Sequence, residues 1–150
     1  MNNGELELLR DKCLFYTQFI IQKLSAKPES VKGLEETYRL IQNAYETKRI
    51  KPLRAISADI DDQVLRHMPL MIAVEFSKLI NDRLKIDYED VTNAYHTVIH
   101  RIVEDGKITN RQEYELALNR IDEIFSDETQ SGELKALTEL VTTYESDISG

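Results

Sequence analysis

Imidazole is the side chain best suited to proton transfer near neutral pH and a common metal ligand, so any chemistry in this chain would start at its three histidines. His96 and His100 stand four residues apart, one helical turn, a spacing that lets two imidazoles hold one metal ion. A closed or catalytic metal site needs at least three protein ligands. No His-Glu-x-x-His string surrounds the pair, and the nearest third ligand on the same helix is Glu104. The pair also falls away from the Val91, Tyr95, Val98 and Ile102 stripe, toward solvent. His67 precedes Met68 and Pro69 in a helix-breaking turn. Asp59, Asp61 and Asp62 have the density of a metal site but lack the glycine and distant glutamate of a calcium loop. Their expected place is a solvated helix face, because adjacent carboxylates on a helix diverge. The string EDGKIT aligns Asp105 and Gly106 with such a loop, yet the first, third and twelfth positions are Arg101, Val103 and Gln112, none of them a carboxylate.

Other signatures of catalysis are missing. The sequence holds no glycine-rich phosphate loop and no Gly-x-Ser-x-Gly elbow. No histidine has an arginine four to six residues ahead of it, the spacing of the helical HEPN ribonucleases. The expectation is a non-enzyme with no catalytic residue, no cofactor and no resident metal. A small metal-binding protein or enzyme built on His96 and His100 is the alternative.

Cationic chemistry is confined to one stretch. Lys48, Arg49, Lys51 and Arg54 gather around Pro52, as a helix end facing its own carbonyl dipole would, or as a site for phosphate or an acidic partner. A DNA-binding regulator using residues 48–54 is therefore the second alternative. The whole chain weighs against it: 27 acidic residues face 19 basic ones, a formal charge of -8, which repels phosphate backbone.

These side chains need helices to carry them. With 150 residues, 41% apolar and 31% charged, and only 5 Gly and 3 Pro, the chain suits an all-α, single-domain bundle of about six helices. Residues 69–86 are the most apolar stretch, with Ile72, Ala73, Phe76, Leu79, Ile80 and Leu84 on one stripe; the expectation is a central helix with Pro69 in its first turn. Before it come helices over residues 5–24, with Cys13 in the apolar series and Leu24 at its end, over 29–48, with Val31, Leu34, Tyr38, Ile41 and Tyr45 inward, and over 53–68. After it, a helix over 88–103 closes at Gly106 as a left-handed cap.

Thr109 with Gln112 opens the next helix as a capping box, whose apolar face is Tyr114, Ala117, Leu118, Ile121, Ile124 and Phe125. The polar loop 126–132 leads to a last helix over 133–144, followed by a frayed tail. The two short helices predict an antiparallel hairpin over 108–145, lying against a helical body formed by 1–104. The lone Cys13 excludes an internal disulfide and fits a reducing compartment. The opening MNNGELELLRDK has no basic start followed by an apolar run, and no stretch reaches the ~18 apolar residues of a membrane span, so the expected location is cytoplasmic.

Residues 108–145 carry a pattern of Ile108, Thr109, Asn110, Tyr114, Ala117, Leu118, Arg120, Ile121, Glu133, Leu134, Leu137, Tyr144 and Glu145. This pattern resembles the helical segment of the HigA family of bacterial antitoxins, over about a quarter of the chain. In that family the hairpin precedes a helix-turn-helix domain, and the protein neutralises a partner toxin and represses its own operon. Residues 1–104 show no compact helix-turn-helix with a basic recognition helix. The resemblance therefore implies protein–protein contact, toxin binding or self-association. Its expected contact residues are Tyr114, Arg120, Tyr144 and Glu145.

Overall fold

The structure is a computed structural model that describes residues 3–23 and 28–149, with side chains for 4–23 and 32–149. The expected places of Leu24 and Val31 lie outside the described residues and side chains. Among the described residues the fold is all-α, as its sequence predicts: α1 (Asn3–Lys23), α2 (Pro28–Glu46), α3 (Ile50–Asp62), α4 (Leu70–Leu84), α5 (Glu89–Asp105), α6 (Arg111–Ile124) and α7 (Ser131–Ser149). A wide turn, Gln63–His67, ends α3, and a tight one, Glu128–Gln130, precedes α7. No described helix is long and apolar enough to cross a membrane.

Two compact units divide the chain, residues 1–88 and 89–150. The expected helical body runs to residue 104, whereas α5 groups with α6 and α7, so the hairpin has a third helix packed on it.

In the first unit α1 is the hub, packing on α2, α3 and α4. Phe76 of α4 is fully buried, as expected, and sits among three rings, two from α1 and one from the segment after α4: Tyr16 edge-on at 5.3 Å, Phe19 at 5.3 Å and Tyr88 at 6.1 Å. Ile80, one turn on, is also fully buried. Pro69 stands at the N-cap of α4, with φ -56° and ψ 141°, one position before the expected first turn. Its ring disfavours helical backbone at Met68, which is extended at φ -119° and ψ 155°, and the helix starts at Leu70.

Beside the aromatic cluster lies a charge that helical periodicity does not anticipate. Lys12 is only 8% exposed, and its Nζ donates to Ser57 Oγ and Asp61 Oδ1, both at 2.7 Å. Tyr88 donates its hydroxyl to the same Asp61 oxygen at 2.6 Å. Removing an ammonium from water costs several kcal/mol unless partners replace the water, so α1 and α3 must keep the register that lets Asp61 reach Lys12. Asp61 pairs inward while 44% of its side chain stays exposed, in keeping with the expected solvated face, and Asp62 holds Arg66 at 3.5 Å and His67 at 3.1 Å. Cys13, next to Lys12, is fully buried, and that burial pushes its thiol up to about 11. A nucleophilic thiolate is disfavoured in such a place.

Phe76→Ala should cost about 3–5 kcal/mol in urea unfolding, the range for a fully buried aromatic. A loss below about 1 kcal/mol would mean the three rings close over the cavity or that this helix is not core.

Candidate functional site

The second unit is organised by the entry into α6. Gly106, at φ 68°, closes α5 in the left-handed conformation that favours glycine, and the chain passes through buried Ile108 to Thr109 and Asn110. Asn110 is the N-cap: its side-chain oxygen accepts from the Glu113 N–H at 2.9 Å. Glu113 returns the contact, Oε1 accepting from the Thr109 N–H at 2.9 Å and the Thr109 hydroxyl at 2.8 Å. This is a variant of the capping box, one residue later than the expected Thr109 and Gln112 pair, in which Glu113 reaches back to the residue before the N-cap. Arg101 of α5 donates to its other oxygen at 2.9 Å. Burial by itself pushes the Glu113 carboxyl up, but the Thr109 donors and the Arg101 guanidinium outweigh it and hold the pKa below the ordinary glutamate value.

Arg120, one of the expected contact residues, lies two turns further along the same inner side. Its side chain is 16% exposed, and its guanidinium spans helices: Nη2 lies 3.0 Å and Nε 3.1 Å from Glu133 Oε2 of α7, and Nη1 lies 3.4 Å from Glu123 Oε1. Glu123 also accepts the Tyr95 hydroxyl of α5 at 2.8 Å, and Asn119 donates to that hydroxyl oxygen at 2.9 Å. At the other end of the hairpin, Tyr114 donates to Glu145 Oε2 at 2.7 Å, and the Tyr114 and Tyr144 rings lie 5.1 Å apart. The four expected contact residues therefore clasp α6 to α7 at its two ends. Helix α7 also runs on to Ser149, past its expected end at residue 144 and through the expected frayed tail.

Because Glu113 and Arg120 take the inner side, the apolar face of α6 is rotated from its expected place. Leu116, absent from the expected face, is fully buried with Ala117 and Ile124, whereas Leu118 is 39% and Phe125 72% exposed. These two are seven residues apart and lie in one row on the outer side of the helix.

His96 and His100 line a cleft of about 470 Å³ with Val103 on α5, Arg120 on α6, and Gln130, Gly132, Glu133 and Ala136 at the start of α7. They border a second, more open hollow with Arg101 and Glu104. Among the described residues no three His, Cys, Asp or Glu side chains stand close enough to hold a metal ion, so neither Glu133 nor Glu104 completes a ligand set with the pair. The basic residues sit in the first unit, at the corner between α2 and α3. Lys48 takes φ 58° there, Arg49 is the N-cap of α3, and Arg54 pairs with Glu5 at 2.7 Å. Lys48, Arg49 and Lys51 are exposed.

No protein-family model, curated protein or solved structure matches this chain.

Two predictions follow the charges. Glu113 has a lowered folded-state pKa, so its stabilisation is fully present above the unfolded value of about 4.3 and is lost as pH falls through the lowered one. Glu113→Gln should therefore lose about 1.5–3 kcal/mol at pH 7, the range for hydrogen bonds to a charged group, and the gap to wild type should narrow near pH 3. An equal gap at both pH values in urea melts would show that the charge is irrelevant. Arg120→Ala should lower the melting temperature and cost about 1.5–3 kcal/mol, since it strands Glu133 and Glu123. A change under about 0.5 kcal/mol would place it with ordinary surface residues.

Proposed function

We propose that this chain is a non-enzymatic protein-interaction module, antitoxin-like in kind, that meets a partner protein or a second copy through the outer side of α6. The observation that carries this reading is Phe125, 72% exposed, in one row with exposed Leu118, whereas Ile148, 59% exposed, stands alone near the end of α7. Covering roughly 100 Å² of that apolar surface would release about 2.5 kcal/mol at ~25 cal/mol/Å². Tyr114, Arg120, Tyr144 and Glu145, the residues behind the antitoxin resemblance, then serve by clasping the hairpin that presents the row. The buried thiol of Cys13 supports a reducing, cytoplasmic setting.

Phe125→Asp tests the reading, because an exposed position tolerates the change in the fold. Sedimentation velocity over a concentration series, with co-purification of the product of the adjacent gene, measures association. It should weaken at least about tenfold, or ~1.4 kcal/mol, with the melting temperature nearly unmoved. Association indifferent to Phe125→Asp, or no association at all, would overturn the proposal.

A further inference from the structure

Arg111, Glu115, Leu118, Asp122 and Phe125 recur along α6 at steps of four, three, four and three, and all five are exposed. Such spacing places them in one row, with Leu118 and Phe125 separated by two turns, about 10.5 Å along the axis. Arg111 is already engaged, its Nε 3.3 Å from Glu115 Oε1 and its guanidinium over the Tyr114 ring. The negative charge therefore prevails along the row, and it continues past Phe125 into Asp127 and Glu128. Asp127 is held ionised by the Thr129 hydroxyl at 2.6 Å and the Thr129 N–H at 3.0 Å.

The surroundings reinforce that sign. Residues 89–150 hold fourteen Asp and Glu against five Lys and Arg, a formal charge of -9, whereas residues 1–88 hold thirteen against fourteen, or +1. Three of the five cations, Arg101, Arg111 and Arg120, are engaged with carboxylates of their own unit. A second α6 fits the row badly. Paired antiparallel so that Leu118 of each copy meets Phe125 of the other, Glu115 falls opposite Glu128 and Asp122 beside its own counterpart; paired parallel, each acid meets itself. Like charges so placed are destabilising, while an isologous contact needs a self-complementary patch.

We infer that the outer row of α6 docks a cationic amphipathic helix of a partner protein, one that presents two apolar side chains about two turns apart with Lys or Arg between and beside them. This deepens the interaction reading above and rests on it. The apolar pair supplies the buried centre of the contact, and Glu115, Asp122 and Asp127 supply the polar rim that selects and steers the cationic helix. Only positive residues leave both acids of the row paired when water is excluded from the Leu118 and Phe125 contacts.

The test uses the full chain and two fluorescein-labelled synthetic helical peptides with Leu at positions seven apart, one flanked by Lys and the other by Glu. Fluorescence anisotropy should show the Lys peptide binding at least about tenfold more tightly than the Glu peptide, and weakening as NaCl rises. Binding should fall about tenfold in Leu118→Ser with Phe125→Ser and at least about threefold in Asp122→Lys, but less than about twofold in Glu139→Lys on α7. Asp122→Lys keeps the apolar pair, so it reads the charge requirement even if the double variant folds poorly. Equal losses in Asp122→Lys and Glu139→Lys would reduce the effect to diffuse charge and overturn the inference, as would equal binding of both peptides. Self-association abolished by the double variant, with no peptide bound, would overturn this inference and leave the interaction reading standing. Neither peptide binding nor association would overturn both.

Discussion

Two charged side chains on the inner side of α6 set how that helix is turned. Glu113 and Arg120 are seven residues apart, so one side of the helix carries both. Each is largely removed from water, and neither can be without several polar partners at an acceptable free energy. Glu113 finds them in Thr109 and Arg101, and Arg120 in Glu133 and Glu123. Rotating α6 to bury Phe125 would swing both charges out of these pairs. It would also turn buried Leu116, Ala117 and Ile124 toward water, which costs more than hiding one ring gains. The exposed row is thus a consequence of internal ion pairs, which makes it a fixed feature of the folded unit.

The same device appears in the first unit. Lys12, flanked in sequence by fully buried Cys13, is tied to Ser57 and Asp61 of α3, and Tyr88 closes on the same carboxylate. Apolar contact alone tolerates sliding between helices, since most large side chains can exchange neighbours at modest cost. An ammonium with two partners at 2.7 Å tolerates none, so it specifies which turn of α1 faces which turn of α3. In each unit, then, apolar burial provides the bulk of the driving force, and one or two buried charges choose the alignment.

This division explains what could be read in the sequence. The 3.6-residue rhythm of Phe76 and Ile80 was enough to place them in the core, and it was enough for the all-α class. Rhythm failed on α6, where Tyr114, Leu118, Ile121 and Phe125 outnumber Leu116 and drew the face toward themselves. Nothing local shows that Arg120 points inward, because Glu133 lies 13 residues away along the chain. Lys12 and Asp61, 49 residues apart, are invisible to a window of any helical length. The one usable signal was Glu113 itself, three residues after Asn110 in capping-box register. The rotation it implies would have moved Leu118 and Phe125 outward and brought the candidate surface into view.

Charge placement adds a constraint that fold class does not. A unit with a formal charge of -9 over residues 89–150 repels its own copies at a distance and attracts cations, so its encounter rates depend on the sign of what approaches. Near contact, Leu118 and Phe125 reward only a partner able to cover apolar surface, which small cations and bare polar chains cannot do. Long-range attraction and short-range burial therefore select for different properties, positive charge and an apolar stripe. Both requirements are met together by a basic amphipathic helix, whose two faces bring them to one surface at the spacing α6 presents.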